Sequence, residues 1–537
     1  MPYPDLYEAS VLELRAGLDE GLFSSVDLVE AYFARIEEVN LGGPALRAVL
    51  EINPSALDQA KALDEERKTS GKRSLLHGIP ILLKDSIATV TSEGKIGEAM
   101  VWRLELIWMN TTAGSFALLG SVVAEDAGVV KRLRKAGAII LGKPDTTENT
   151  RFEGNLASGW SGRGGQSTSA YFPNADPSGS SSGCAIAASI GLATVTIGAD
   201  THGSITCPAS NNNVVGIKPT VGLTSRAGVI PISTHMDSIG SITRSVSDAA
   251  IVLSVIAGRD PNDVATLSQP DKIPNYPDAL NTSAFKGKRI GVPRKAFLEE
   301  DTVEPSIMTA FEEALGSIER LGASIVDPAD LPSVDEIFVS ENETVIVNID
   351  FKIELNDYLR SLSDNPTGVH TLSDLIAFND AHPELEKPDN FSSQSGLLAA
   401  QATDGFNSTY YQAVNSHYEL GRTRGIDAVL KELNLDALVL PATVPATTPP
   451  AIAGYPIVTV PLGFFPDNVT IRSAGPLTVY PAPGVPFGLS FLGGAFSEFE
   501  LLGFAFAYEQ ETRTRLKRKA YPAAVPKTQL QDIMKHH

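Results

Sequence analysis

The sequence predicts an α/β protein: a single large α/β/α domain with a mixed, mostly parallel central sheet flanked by helices. From Leu76 onward, short apolar runs alternate with amphipathic segments, as expected when strands and helices follow one another in turn. Strand-like runs occur on both sides of a more polar, proline-containing segment at 328–405, so both ends of the chain contribute to one core. A chain of 537 residues with 43% apolar residues is long enough to bury such a core.

The individual elements follow from periodicity and from capping and stop signals. Residues 1–75 are predicted to form a helical segment that packs on the core; in it Ser24 or Ser25 caps a helix with apolar residues at helical spacing. Residues 78–83 read as a buried strand that ends at Lys84 and Asp85. Further strands are predicted at 138–141, 193–197, 289–292, 438–441 and 457–461, and further helices at 54–67, 126–133 (capped by Asp126), 183–190, 246–256 and 305–321.

These elements divide the chain into three parts. The α/β core is expected at 76–525, with 328–405 as a helical excursion from the main sheet and 526–537 as a tail. We find no internal repeat that would indicate a solenoid or an array.

Composition and charge exclude several classes of function. A net charge of −21 argues against a nucleic-acid partner, which needs a basic face. The acidic N-terminus lacks the apolar core of a secretory signal, and the charge-free stretches 177–199 and 437–466 are too polar or too proline-rich to span a membrane. Two cysteines suit a reducing compartment, so we expect a cytoplasmic protein without a membrane partner; the oligomeric state stays open.

No standard cofactor or metal motif is present. The sequence lacks HExxH, paired CxxC, a P-loop and a strand followed by GxGxxG, and its eight histidines show no metal-ligand spacing. We therefore expect neither a cofactor nor a metal.

Two loops stand out as places where chemistry could occur. Residues 177–183 form a serine- and glycine-rich loop that leads into a helix, and residues 198–205 form a loop that leaves a strand. Either loop alone is explained as a linker or an anion-binding turn. Together they bring two serines to one end of the sheet, and Lys84 at a neighbouring strand end could supply the base that a seryl hydroxyl needs.

These loops carry a resemblance that extends over most of the chain. The sequences HGIPILLKD at 77–85, GSSSG at 179–183, GSI at 203–205 and GIKPT at 216–220 resemble the amidase signature family. The similarity continues through 126–143, 454–456 and 486–489. The resemblance implies hydrolysis of a small-molecule carboxylic amide to an acid and an amine or ammonia, at linear C–N bonds other than peptide bonds.

The resemblance also assigns roles to residues. It implies a Ser–Ser–Lys triad in which Ser204 is the nucleophile and Lys84 is the terminal base. Ser180, in a cis peptide, is the serine that bridges the two. Backbone N–H groups of Thr201, His202 and Gly203, with Ser204 as a further candidate, would form the oxyanion hole. Lys84 must be neutral to accept a proton, so its pKa must fall by burial, and strand alternation should turn the neighbouring Asp85 to the other side.

Three features depart from the family pattern. His202 stands where glycine is usual, and we expect its side chain to form a pocket wall; a residue with a Cβ requires a suitable local φ there. Thr206 stands where arginine is common, which removes a candidate for recognition of an acidic substrate group. Cys184 and Cys207 flank the site and are predicted to be packing residues.

The largest departure is an extra segment from Val90 to Met109, which carries Trp102 and Trp108. One interpretation is a lid near Lys84, and the other is an error of gene prediction such as a retained intron. Both stay open at the level of sequence.

Three rival functions can be stated. The run GSSSG formally matches the G-x-S-x-G of α/β-hydrolase esterases with Ser181 at its centre, although 171–177 is a poor strand. The family resemblance also allows an amidotransferase-like subunit that needs partners, or a catalytically impaired relative that acts as a binder.

Overall fold

An eleven-stranded sheet forms the centre of the molecule. The computed structural model describes residues 3–90, 109–148, 158–297 and 303–535. The strands are β1 Val49–Ile52, β2 Pro80–Leu83, β3 Ile139–Pro144, β4 Trp160–Ser161, β5 Gly165–Gln166, β6 Val195–Asp200, β7 Val215–Lys218, β8 Ser238–Thr243, β9 Arg289–Gly291, β10 Ser324–Val326, β11 Ala437–Pro441, β12 Ile457–Phe464 and β13 Pro486–Leu492. The large sheet has the order β1-β3-β2-β6-β8-β7-β12-β13-β11-β9-β10, and β4 pairs with β5 alone.

Helices flank this sheet. They are α1 Val11–Asp19, α2 Ser25–Val39, α3 Ala56–Ser70, α4 Gly128–Lys135, α5 Ser182–Ser189, α6 Thr206–Asn211, α7 Val246–Ile256, α8 Pro305–Arg320, α9 Val334–Val339, α10 Asn342–Ser361, α11 Leu372–Ala381, α12 Pro383–Glu386, α13 Ser395–Gln401, α14 Ser408–Tyr418, α15 Asp427–Glu432, α16 Val444–Ala453, α17 Glu498–Thr512 and α18 Leu530–Met534. A π-helical stretch, Glu419–Ile426, joins α14 to α15. Shorter 3₁₀ turns lie at Phe116–Leu118, Val264–Ser268, Tyr276–Ala279, Arg294–Ala296, Thr514–Lys517 and Pro522–Ala524.

The prediction of a large mixed sheet flanked by helices is confirmed, but parallel pairing is less extensive than expected. Parallel pairs lie towards the two ends of the sheet, at β3–β2–β6 and at β11–β9–β10. The strands from β6 through β8, β7, β12 and β13 to β11 pair antiparallel. The reason is the connections: β7 to β8 and β12 to β13 are joined by chain without an α-helix, so these strands can reverse direction beside each other.

Local sequence signals explain most element boundaries. Helix α2 begins after Ser24, whose hydroxyl accepts from the backbone N–H of Asp27, while the Asp27 carboxylate accepts from the Ser24 N–H in return. The predicted cap of α4 is wrong: Ala127 occupies the N-cap without a side-chain bond. The Asp126 carboxylate instead accepts from the N–H of Val90 and from the guanidinium of Arg134.

Residues 334–418 consist of helices and connecting loops. Helix α10 contacts both α13 and α14, so this part packs largely on itself. Most of its buried apolar residues belong to smaller clusters outside the main core, whereas Val334 and Ile337 of α9 join the main core. The domain boundaries given above stay a prediction. No helix in the described ranges combines the length and the apolar character that a membrane crossing requires.

Three neighbouring parallel strands form the sheet edge at which the candidate site lies. Strands β3, β2 and β6 run in the same direction, so their C-terminal ends meet at one edge of the sheet. Lys84 follows the end of β2, and the turn 201–205 follows the end of β6. Chain segments that leave such an edge are where α/β proteins place ligand-binding groups.

Candidate active site

Lys84 lies at the centre of this edge. Its side chain is buried, with only 1% of the residue surface exposed, because the fully buried strand β2 carries it into the core. The ammonium Nζ donates to Ser180 Oγ at 2.6 Å and to the carbonyl of Ala199 at 3.3 Å. Burial lowers the pKa of Lys84 from its ordinary 10.5 to about 8, against the opposing attraction of nearby acidic groups. The neutral amine is therefore accessible close to neutral pH.

Ser180 is held by the loop before α5. The Gly179–Ser180 peptide is cis. The Ser180 carbonyl accepts from the backbone N–H of Thr147 at 3.1 Å and from the hydroxyl of Thr146 at 2.7 Å. Both threonines follow strand β3, so the neighbouring strand end fixes the position of this serine beside Lys84.

Ser204 lies in the turn that follows β6, directly beside the Ser180 loop. Its carbonyl accepts from the N–H of Ser181 at 3.0 Å. The Asp200 carboxylate accepts from the backbone N–H of Ile205 at 2.6 Å, which closes the turn and starts α6. The structure thus brings Lys84 and Ser180 into contact and places Ser204 on the adjoining loop. Within the described ranges, no hydrogen bond joins the hydroxyls of Ser180 and Ser204.

The turn 201–204 has the backbone features expected of an anion-binding loop. Gly203 has a φ of +79°, and a Cβ there would lie 2.9 Å from Cys207 Sγ and 3.0 Å from Thr447 Oγ1. His202 is not among the residues with positive φ, so a side chain at that position fits without strain. Among the hydrogen bonds of the described residues, none is donated by the N–H groups of 201–204.

The side chain of His202 points to the helical excursion. Nδ1 lies 2.6 Å from Glu343 Oε1 at the start of α10, and Nε2 lies 3.0 Å from Thr448 Oγ1 on α16. Burial acts to lower the pKa of His202, but the charge and hydrogen bond of Glu343 outweigh it and raise the pKa above 6.5. His202 therefore forms an ion pair with Glu343, and its expected role in the pocket wall stays a prediction.

Asp85 and the two cysteines behave as predicted. The Asp85 carboxylate accepts from the Thr112 hydroxyl and the Gly114 N–H, so it faces different partners from those of Lys84. Cys184 and Cys207 are buried and unpaired. Burial raises the pKa of each thiol to about 12, which leaves both as neutral packing groups.

A cavity of about 440 Å³ adjoins both serine loops. Ser178, two residues before Ser180, and Cys207, three residues after Ser204, both line it. Most of the remaining wall is apolar or aromatic and comes from Phe297, Val303, Ile307, Val444, Pro445, Phe465, Tyr480 and Pro481. Its polar groups include Asp176, Asn211, Glu304 and Arg472. The volume is suited to a small organic molecule.

The esterase alternative is not supported. Ser181 is fully buried, and its hydroxyl donates to the carbonyl of Ala199 at 3.1 Å. In the described stretch 158–181 the last strand, β5, ends at Gln166, so no strand leads into Ser181 as a nucleophile elbow requires. Of the extra segment Val90 to Met109, residues 91–108 lie outside the described residues, and both interpretations of it remain predictions.

Several residues that shape the site were missed at the level of sequence. Thr146 and Thr147 hold Ser180, Asp200 closes the Ser204 turn, and Glu343 pairs with His202. The role of Asp200 could have been inferred from the sequence, because an aspartate at the junction of a strand and a turn often accepts from the backbone N–H groups of that turn. The role of Glu343 could not, because it lies 141 residues from its partner His202.

The fold is a mixed sheet flanked by helices, and at the edge of this sheet a buried lysine of low pKa contacts a seryl hydroxyl. Such a fold and site define a hydrolase-type α/β enzyme. The chain belongs to the amidase family: the family model described as "Amidase" matches residues 27–100 and 103–502.

Relatives and solved structures agree with this assignment. The chain is 41% identical over 517 residues to a "Probable amidase" of Arabidopsis thaliana, covering 95% of this chain and 91% of the relative. It is 32% identical to a glutamyl-tRNA(Gln) amidotransferase subunit of Myxococcus xanthus, covering 94% and 98%. The crystal structure of native peptide amidase from Stenotrophomonas maltophilia superposes with a TM-score of 0.84 at 39% identity, covering 97% and 99%.

Proposed function

We propose that this amidase-family protein hydrolyses a carboxylic amide to an acid and an amine or ammonia, through a Ser–Ser–Lys triad and a covalent acyl-enzyme. Ser204 is the nucleophile, Ser180 the proton relay and Lys84 the terminal base. The observation that carries the proposal is the 2.6 Å hydrogen bond between the buried Lys84 Nζ and Ser180 Oγ.

The protonation state of Lys84 makes the first step feasible. With a pKa of about 8, about a tenth of the lysines are neutral at pH 7. A neutral Nζ accepts the Ser180 proton, while Ser180 Oγ accepts the proton of Ser204. Catalytic hydrogen bonds are often longer in a free enzyme and shorten with substrate bound, so we assign the Ser204–Ser180 contact to the substrate complex.

The Ser204 oxygen then attacks the amide carbonyl carbon, and the carbonyl oxygen becomes an oxyanion. The N–H groups of Thr201, His202, Gly203 and Ser204, free of other acceptors in the described residues, are the proposed donors. Each well-placed donor stabilises such a transition state by roughly 3–4 kcal/mol.

Collapse of the intermediate breaks the C–N bond, and the proton held by Lys84 returns through Ser180 to the leaving nitrogen. Water then attacks the Ser204 ester, again losing its proton through Ser180 to Lys84. The bond between the acyl carbon and Ser204 Oγ then breaks, Ser204 Oγ regains the proton from Lys84 through Ser180, and the acid leaves the restored enzyme. This sequence gives ping-pong kinetics.

The cavity supports a substrate with an apolar group next to the amide. Phe297, Ile307 and Phe465 supply apolar wall, and Asp176 and Arg472 supply polar contacts. The similarity to a peptide amidase makes amidated peptides a class to include, so the exclusion of peptide-type amides stays a prediction.

The test is hydrolysis of an amide panel by the purified chain, with Ser204→Ala and Ser181→Ala as a matched pair. The panel contains an aliphatic amide, an aryl-substituted amide, a C-terminally amidated dipeptide and an unmodified peptide. We expect release of ammonia or amine from at least one amide, loss in Ser204→Ala and retention in Ser181→Ala. Loss of activity in Ser181→Ala alone would contradict the assignment of the nucleophile.

The same panel separates the two alternatives. The similarity to an amidotransferase component favours an assembly-dependent role as the second candidate. Activity that appears only with added partner proteins would support that role, and a folded but inactive chain would support the binder.

A further inference from the structure

We propose that His202 is a positioning residue that fixes the turn 201–204 against helix α10, and thereby sets the geometry of the oxyanion donors. This inference rests on the proposed function, because it concerns the same turn. It assigns a task to the histidine that replaces the usual glycine.

The turn lies between two helices, and His202 contacts both. Its imidazole is only 27% exposed, and Glu343 on α10 is 26% exposed, so the pair is largely shielded from solvent. Nδ1 donates to Glu343 at 2.6 Å, and Nε2 is 3.0 Å from the Thr448 hydroxyl on α16. Both ring nitrogens are therefore engaged, which fixes the ring plane and with it the backbone of residue 202.

A second chain of hydrogen bonds links the same turn to the same helix. The Thr201 hydroxyl donates to Asp237 at 2.6 Å, and Asp237 accepts from the N–H of Ser233 at 3.1 Å. The Ser233 hydroxyl in turn donates to Asp350 at 2.6 Å. Glu343 and Asp350 are seven residues apart, so they lie on one face of α10. Two adjacent residues of the turn are thus connected to one face of one helix.

The charges around His202 favour its protonated form. Facing it are Glu343 from α10 and Asp200 from β6, which raise its pKa, and Lys218 from β7, which lowers it together with burial. The Glu343 pKa is lowered by the same pair despite burial, and His417 on α14 adds to that attraction. The imidazolium donates from both nitrogens, so the charged state makes the strongest contacts with both helices.

The functional test compares His202→Gln with His382→Gln. His382 is a matched control, because its Nδ1 also faces a glutamate, Glu384, at 3.9 Å and its side chain is 45% exposed, yet it takes no part in either chain of contacts to the turn. We expect His202→Gln to lower kcat about tenfold, part of the 10²- to 10³-fold loss that follows removal of a whole donor, with KM nearly unchanged. His382→Gln should change kcat less than twofold.

Glu343→Gln should reproduce the loss, and the double variant should be no worse than either single one, since the two residues act as a unit. Equal kcat losses in His202→Gln and His382→Gln, or an unchanged kcat in His202→Gln, would overturn the positioning role. Absence of all amide hydrolysis in the wild type would instead refute the proposed function and remove the role with it.

A measurement without substrate gives an independent readout. In protein carrying isotope-labelled histidine, the signal missing from His202→Gln identifies residue 202. We expect the pKa of His202 to lie above the ordinary 6.5 in the wild type and to be lower in Glu343→Gln, where Asp200 is left to oppose burial and Lys218. Titration at or below the ordinary range in the wild type would overturn the ion pair.

Discussion

The dependence of kcat/KM on pH follows from the state of Lys84. Only the neutral amine can accept a proton, and burial holds its pKa at about 8. The neutral fraction is about 1% at pH 6 and one half at pH 8, so kcat/KM should rise about 50-fold between these values and level off above pH 9. The sign is fixed by the base: activity is lost as pH falls through the pKa of Lys84.

The assay is initial-rate hydrolysis of one amide at low substrate concentration between pH 6 and 10. Lys84→Arg, which cannot deprotonate in this range, should remove the activity at every pH. Lys61→Ala is the control, because that lysine is 64% exposed and should leave the profile unchanged. A wild-type profile that is flat from pH 6 to 9 would refute the assignment of Lys84 as the base.

Three further predictions concern the turn, the buried lysine and a helix cap. Gly203→Ala should lower kcat at least tenfold, because the φ of Gly203 is +79° and the new methyl group would lie 2.9 Å from Cys207 Sγ. Gly287→Ala is the control, because Gly287 has a φ of +73° but open space around it; this change should cost about 1 kcal/mol of stability and leave kcat unchanged. Lys84→Met should raise the free energy of unfolding by about 2 kcal/mol at pH 7 in urea titrations, since about 3 kcal/mol of charge burial is removed and hydrogen bonds of about 1 kcal/mol are lost. That gain should vanish above pH 10.5, the ordinary lysine pKa, and an unchanged or lower stability at pH 7 would contradict it. Ser24→Ala should lower stability by about 1 kcal/mol through loss of the capping box at α2, and equal urea midpoints would count against that reasoning.

The apolar runs predicted the strands that carry the site. Strand β2 is buried from end to end and β6 at every residue but Ala199, and such strands stand out in a sequence as short apolar segments bounded by glycine, proline or polar residues. The strand ends then placed Lys84 and the Ser204 turn at one edge, because parallel neighbours share an edge.

Strand direction in the middle of the sheet was not predictable in the same way. The alternation of strands and helices favoured parallel pairs, but a strand followed by a long irregular connection can turn back beside its neighbour. Strands β12 and β13 do so across residues 465–485. Nothing in their composition distinguishes the two directions, since both strands are largely buried.

The contacts that hold the site were the least predictable part. The bond from Thr146 to the Ser180 carbonyl and the pair of His202 with Glu343 join residues 34 and 141 positions apart. Such pairs depend on how helices pack over the sheet edge, and local patterning does not encode that packing. The wrong prediction of a cap at Asp126 has the same cause. The Asp126 carboxylate accepts hydrogen bonds from Val90 and Arg134 instead of capping α4.

The identity of the nucleophile is tested most directly by a fluorophosphonate that reacts only with an activated serine. Peptide mapping by mass spectrometry after labelling should place a single phosphonyl group on Ser204, with labelling strongly reduced in Lys84→Ala and retained in Ser181→Ala. An adduct on any other serine, or equal labelling of Ser204 with and without Lys84, would contradict the account.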